Sequence, residues 1–436
     1  MVYSRENFLF MRLFLVVVFI FKLLPVFSQN LYFPPTTGNQ WDTLSPANLG
    51  WCANRIDSLT DFLRRNNTKG CIILKDGKIA YEKYFGSFQV DSPWYWASAG
   101  KTLTATLVGI AQQEGRLSIS DTSSKYLGAG WTSLPRNKED LINIRHQLNM
   151  TTGLDERVAD LNCKLDTCLK YRTDAGTRWY YHNAPYLLLH DVLEQATGQT
   201  INNYTLQKIM VPTGLRGLWA SDGVFYSTTR SFARFGLLML NKGKWSNTVV
   251  LSDTNYFREM TTPSQTLNKS YGYLWWLNGQ PSYQLPLVPL VIQGNLIATA
   301  PNEIICGLGK NDQKLYIWPQ QNLVVVRLGE SAGGVNPALS SFDNQFWIQI
   351  MQLLCNVNST SAIQETQLSI FPNPASQTIR FSSPVSQIQI LDVHGKTILQ
   401  QQQESSEINI AHLQPGMYWI MGKSQGVWVK QKWLKQ

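Results

Sequence analysis

Apolar positions change period several times along the chain, and each change predicts a different element. Ile56, Leu59, Phe62 and Leu63 fall on one helical face and predict a helix over residues 46–66. Cys71-Ile72-Ile73-Leu74 and Ile79-Ala80-Tyr81-Glu82 are strand-like runs joined by Lys75-Asp76-Gly77-Lys78. Asp-Gly between two such runs predicts a β-hairpin. Helical spacing returns over residues 98–115, where Leu103, Leu107, Ile110 and Ala111 share a face and Gly115 can end it. Two more helices are expected over residues 184–196 and 231–240, closed by Gly198 and by Lys242-Gly243. Late in the chain, residues 272–277, 303–308, 314–318 and 323–328 read as strands, and 342–354 as a closing helix. The pattern predicts an antiparallel sheet assembled from both ends of the domain, with helices inserted between and a mostly loop and helix region over residues 116–265.

Asn358-Ser359-Thr360-Ser361 breaks the pattern as a short polar linker. Beyond it, short strands are expected over residues 368–371, 378–381, 387–391, 396–399, 408–410 and 418–421, which predicts a small all-β sandwich. At the other end, Arg5 and Arg12 precede an apolar run at 13–21, and Val26-Phe27-Ser28 offers small residues for cleavage, as in a secretory signal peptide. The run is short for a membrane span and Lys22 interrupts it, so no stable span is expected after processing. The division expected is a signal peptide at 1–28, a main domain at 29–357, a linker at 358–365 and a tail domain at 366–436.

With 436 residues, 44% hydrophobic and 15% charged, the chain can bury one large core plus a small module, and disorder is not expected for most of it. The net charge of +9 is spread without a Lys/Arg run, which gives nucleic-acid binding no support. Secretion permits disulfides among the six cysteines. Cys163 and Cys168 share a polar loop and are expected to pair. Cys52 with Cys355 is a further possible pair, while Cys71 and Cys306 sit in apolar strands as buried thiols. Two cysteines without matching histidines are too few ligands for a metal site, and neither metal nor cofactor is implied.

Candidate chemistry starts at Ser98-Ala99-Gly100-Lys101, the sole S-x-x-K in the chain. Helical spacing puts Lys101 one turn beyond Ser98 on the same face. A lysine can deprotonate a serine only when neutral, which requires burial or a nearby positive charge. Trp94, Trp96 and Leu103 supply apolar flanks. Ser98 alone would also suit a plain N-cap. Tyr181-His182-Asn183 precedes the helix at 184, where the tyrosine could relay a proton and the asparagine hold a substrate amide. Gly307-Leu308-Gly309-Lys310 ends an apolar strand, and its small residues would let a substrate approach the backbone. A competing motif, Gly329-Glu330-Ser331-Ala332-Gly333, matches G-x-S-x-G. It lacks the following helix that motif needs, and the only later histidines, His394 and His412, fall in the tail.

S-x-x-K, then Y-x-N about 80 residues on, then a glycine-bearing strand resembles the serine β-lactamase-like superfamily, closest to class C β-lactamases, their esterase relatives and 6-aminohexanoate-dimer hydrolases. The resemblance covers residues 45–355 and implies an α/β fold, an antiparallel sheet flanked by helices with a helical domain over the cleft. It implies a secreted serine hydrolase working through an acyl-enzyme on Ser98, with Lys101 and Tyr181 as general bases and Asn183 as a substrate ligand. An oxyanion hole would come from the N–H groups of Ser98 and Lys310, and a non-catalytic cell-wall-peptide binder is the alternative. The family's third box often reads K-T-G or H-x-G. Gly307-Leu308-Gly309 lacks a side chain to grip a carboxylate, so an ester, an amide or a short peptide fits better than a β-lactam. The tail resembles the sorting domain of type IX secretion cargo through Phe371-Pro372-Asn373-Pro374, Leu413-Gln414-Pro415-Gly416-Met417-Tyr418 and the ending Lys430-Gln431-Lys432-Trp433-Leu434-Lys435. That resemblance implies a partnership with the secretion machinery and a cell-surface or secreted location.

Overall fold

The computed structural model describes residues 31–333, 339–355, 370–392, 397–424 and 427–436. The expected signal peptide and linker lie outside them. The β-branched runs form a six-stranded antiparallel sheet of β1 (Thr68–Lys75), β2 (Lys78–Tyr84), β3 (Trp276–Leu277), β4 (Ile305–Gly309), β5 (Gln313–Trp318) and β6 (Leu323–Gly329), in the order β2-β1-β6-β5-β4-β3. β5 and β6 are buried along their whole length, which fits their apolar stretches Leu315–Trp318 and Leu323–Val326, while Gln313, Lys314 and Arg327 are polar residues buried with them. Register places Ile73 opposite Val325, Tyr316 also opposite Val325, and Gly307 opposite Leu315. The hairpin turns at Asp76-Gly77, both at positive φ (52° and 82°). That conformation is what makes Asp-Gly a turn signal.

Helices α1 (Ile56–Arg65), α2 (Lys101–Gln113), α3 (Asn183–Thr197), α4 (Thr229–Leu240) and α5 (Ser341–Leu353) surround this sheet. α1 and α5 pack together through Phe62 stacked on Phe342 and Phe346. α4 meets the sheet so closely that a Cβ at Gly236 would lie 2.4 Å from Val324 Cγ1. α2 is buried on nearly every side and runs beside α3.

Several boundaries differ from expectation. The first helix begins at Ile56, not 46, because Gly50 is left-handed (φ 68°) and Cys52 is bonded to Cys355. Of residues 272–277 only Trp276–Leu277 is strand, because Leu274 adopts φ 60° and Gly272 is pressed against the Met260 carbonyl. Phe225–Ser227 of the helical insertion pairs with Gly217–Trp219 on one side and with Trp94–Tyr95 on the other, and beyond the insertion Ser282–Leu285 pairs with Val288–Gln293; neither small sheet was expected. Cys163–Cys168 is also bonded, and Cys71 and Cys306 are buried thiols.

The tail is all-β: β7 (Ile370–Phe371), β8 (Thr378–Leu391), β9 (Thr397–Gln401), β10 (Ser405–Asn409), β11 (Gly416–Ser424) and β12 (Val427–Lys435). Two expected strands fuse into the fourteen-residue β8, bent at Gln387 (φ 52°). This one strand pairs with β7, β9, β10 and β11 in turn, so the tail is a curled sheet with its own core of Ile379, Ile388, Ile390, Ile420 and Trp433.

Candidate active site

Trp96, fully buried, anchors the segment that carries Ser98. Its Nε1 donates to Ser227 Oγ at 2.7 Å and its ring stacks on Phe232 at 4.1 Å. The chain then turns sharply: Ala97 sits at φ 48°, a strained region for a residue with a side chain. Residues Ala97–Gly100 form one 3₁₀ turn leading into α2, so Ser98 lies just before the α-helix and not in its first turn.

Ser98, Lys101 and Tyr181 converge. Lys101 Nζ is 3.2 Å from Ser98 Oγ. The lysine is 4% exposed and has no carboxylate beside it, so burial pushes its pKa down to about 7. The ring faces of Tyr186 (4.0 Å from Nζ to the centroid) and Tyr181 (5.2 Å) pull the other way, because they favour the ammonium form. Tyr181 is 7% exposed; burial pushes its phenol well up, and the Ser98 hydroxyl pulls it only partly back. Trp276 stacks on Tyr181 at 5.9 Å and Tyr271 meets it edge-on at 6.2 Å, which fixes the ring.

The other sequence candidates take different places. Asn183 is the first residue of α3, and its Oδ1 is buried without a partner among the described residues. Neighbouring His182 is neutral: burial pushes its pKa down to about 4, and neither ring nitrogen has a partner among the described residues. Gly307 and Gly309 lie against the Ser98 turn. A Cβ at Gly307 would meet Thr102 Cγ2 at 3.3 Å, and one at Gly309 would lie 2.4 Å from the Trp96 carbonyl oxygen and 3.1 Å from Ala99 N. The space these glycines open is therefore occupied by residues 96–102, where sequence reading left it for a substrate. Their strand edge is another matter. β3 pairs with β4 only at Ile305 and Cys306, so among the described residues Gly307–Gly309 has no ladder partner on that side.

Lys310 is exposed and opens a tight turn in which Asn311 and Asp312 both have φ 60°. Five contacts hold that turn. Asn311 Nδ2 donates to the Tyr95 hydroxyl at 2.9 Å, Arg327 donates to the Asn311 and Asp312 carbonyls, and Asp312 accepts from Ser340 and Lys314. Gly329 ends β6, Glu330, Ser331, Ala332 and Gly333 are not helical, and Asp312 accepts the Ala332 N–H. Sequence reading did not single out Tyr186, Tyr95 or Trp276. For Tyr186 a signal existed: it lies three residues beyond Asn183 on the same helix, the spacing at which side chains share a face.

Comparison with known proteins places this site in context. The beta-lactamase family model matches residues 70–342, and the secretion system C-terminal sorting domain matches residues 369–436. A 6-aminohexanoate-dimer hydrolase of Paenarthrobacter ureafaciens is 22% identical over 347 residues, 68% of this chain and 82% of that protein. Among solved structures, a candidate 6-aminohexanoate-dimer hydrolase of Bacillus anthracis superposes with a TM-score of 0.57 at 17% identity, covering 76% of this chain and 91% of that one. The octameric penicillin-binding protein homologue of Pyrococcus abyssi gives 0.52 at 14% identity, covering 88% and 96%.

Proposed function

The chain belongs to the beta-lactamase family and carries a secretion sorting domain, and from that premise we propose that it is an exported serine hydrolase cleaving an ester or amide through an acyl-enzyme on Ser98. The observation that carries this reading is the 3.2 Å approach of Ser98 Oγ to the buried Lys101 amine. A neutral Lys101 takes the Ser98 proton as Oγ attacks the carbonyl carbon. The oxyanion forms against the N–H groups of Ser98 and Lys310, and the leaving group departs with the proton, relayed through the Tyr181 hydroxyl. Water then attacks the acyl-enzyme by the same route in reverse. The raised pKa of Tyr181 supports a relay rather than a standing phenolate base.

The unpaired edge at Gly307–Gly309 suits a substrate backbone laid beside β4, with Asn183 turned to its amide. No cationic or hydroxyl side chain stands at Gly307 or Leu308, which supports esters and amides over β-lactams. The sorting domain implies engagement with the secretion machinery and a secreted or cell-surface location. No helix among the described residues is long and apolar enough to cross a membrane. The proposed division remains a leader at 1–28, the hydrolase at 29–357 and the tail from 366.

The test is p-nitrophenyl acetate hydrolysis with a fluorophosphonate probe. Wild-type protein should label once, at Ser98, and Ser98→Ala should lose both label and turnover at an unchanged melting temperature. Full activity in that variant would overturn the reading, and a folded wild type that neither labels nor turns over would favour a non-catalytic binder.

A further inference from the structure

Between α3 and the turn at residues 219–224 lies a cavity of about 700 Å³, within the range of small-molecule sites. Leu187, His190, Asp191 and Glu194 line one wall and follow Asn183 at helical spacing, so this wall continues the α3 face that begins at the candidate site. Two lining side chains also touch the nucleophile element. Trp219 packs on Gly100, its ring 3.6 Å from where a Cβ would stand, and His190 Nε2 is 2.9 Å from Thr104 Oγ1 on α2. One layer of side chains thus separates the cavity from the Ser98 turn.

The charges of the lining do not balance. Lys164 is paired with Asp191 at 2.8 Å. Glu194 accepts the Ile201 N–H at 2.8 Å and Asp222 the Val224 N–H at 3.0 Å, and neither has a basic partner among the described residues. His190 is 8% exposed, and its Nδ1 has no protein partner among them. Burial, with Lys164 and Lys101 adding to it, holds this imidazole neutral, its pKa pushed down to about 3. With the proton on Nε2 facing Thr104, Nδ1 offers a lone pair toward Gly223 and the cavity.

We propose that this cavity binds a primary alkylammonium group: Glu194 and Asp222 take its charge, His190 Nδ1 accepts one of its hydrogens, and Leu187 and Trp219 pack on its carbon chain. The site goes beyond the Ser98 chemistry and draws on that reading only for the ammonium's source. The amine belongs either to the substrate, reaching along α3 from Ser98, or to a separate small molecule.

Titration of the full chain with hexylamine at pH 7 by calorimetry tests this, with hexanol and hexanoate as controls. Hexylammonium should bind saturably and both controls at least about tenfold more weakly, the factor that about 1.4 kcal/mol represents. Glu194→Gln with Asp222→Asn should weaken hexylammonium by a similar factor at an unchanged melting temperature, since both amides keep an acceptor for the backbone. p-Nitrophenyl acetate carries no amine, so hexylamine is added to its assay: a raised KM with unchanged kcat would assign the amine to the substrate. A changed kcat at unchanged KM would assign it to a separate ligand acting across His190 and Thr104. Absence of saturable binding, equal affinity for hexanol, or binding unaltered in the double variant would each overturn the proposal. Binding needs no turnover, so an unreactive Ser98 would end the hydrolase reading and leave this test standing.

Discussion

Lys101 is pulled in two directions, and the balance sets the pH at which Ser98 can react. Burial disfavours the ammonium and brings the amine to about pKa 7, while two tyrosine faces favour it. Because the depressed group must be deprotonated to accept the serine proton, activity is lost as pH falls through its pKa and held above it. Below pH 7, kcat/KM should therefore fall about tenfold per pH unit, and it should level off above. Tyr186→Leu removes the nearer ring face and should move this limb to lower pH, read from the same profile. A limb that stays in place would deny Tyr186 any hold on Lys101. Of these residues, Ser98, Lys101 and Tyr181 were legible in sequence because spacing and residue type carry their chemistry. Tyr186 was marked only by its helical spacing from Asn183; its place over Lys101 depends on where α3 packs against α2, a long-range contact that this spacing does not give.

The strand and the turn it supports act as one element. Gly309 lies where a methyl would meet two backbone atoms, the Trp96 carbonyl oxygen and Ala99 N, and backbone cannot move aside as a side chain tip can. Gly309→Ala should displace the Ser98 turn and lower kcat/KM for p-nitrophenyl acetate about a hundredfold, the order expected for misplacement near 1 Å. Gly307→Ala meets only the Thr102 side chain at 3.3 Å and should cost far less. Equal effects would mean that the glycines serve the substrate and not the turn. Behind the turn, Asp312, Lys314 and Asp343 are wholly buried. Lys314 Nζ lies 2.7 Å from Asp343 and 3.2 Å from Asp312, and the Tyr316 hydroxyl donates to Asp343 at 2.6 Å. Lys314 answers both carboxylates, so Lys314→Met leaves both buried without it and should destabilise by about 3–5 kcal/mol in denaturant unfolding. Apolar periodicity marked β5 and α5 correctly but gave no hint of these polar residues inside them. Their pairing depends on a sheet-to-helix contact. The same limit explains residues 272–277, where an apolar run is broken by a left-handed Leu274 that only packing requires.

The chain's ends are secured in different ways, and this governs what can be removed. Cys52 and Cys355 are 303 residues apart and close almost the whole hydrolase region into one loop; beside them Cys52 N–H donates to the Leu353 carbonyl at 2.8 Å. Loop-closure entropy for that span is at the upper end for disulfides, about 5 kcal/mol, so Cys52→Ser with Cys355→Ser should lower the melting temperature by many degrees. The tail makes no such demand. Its buried residues, from Ile370 to Trp433, pack among themselves, and the hydrolase core closes with Leu353 and Leu354 of the last helical turn. Two cores that bury their own apolar surface should unfold separately. A chain ending at residue 357 should therefore keep its rate on p-nitrophenyl acetate within about twofold, and calorimetry of the full chain should show two transitions, one of them absent after truncation. Loss of turnover in the shortened chain at an unchanged main transition would mean that the sorting domain contributes to the site. Loss of both would mean that the hydrolase core needs the tail to fold.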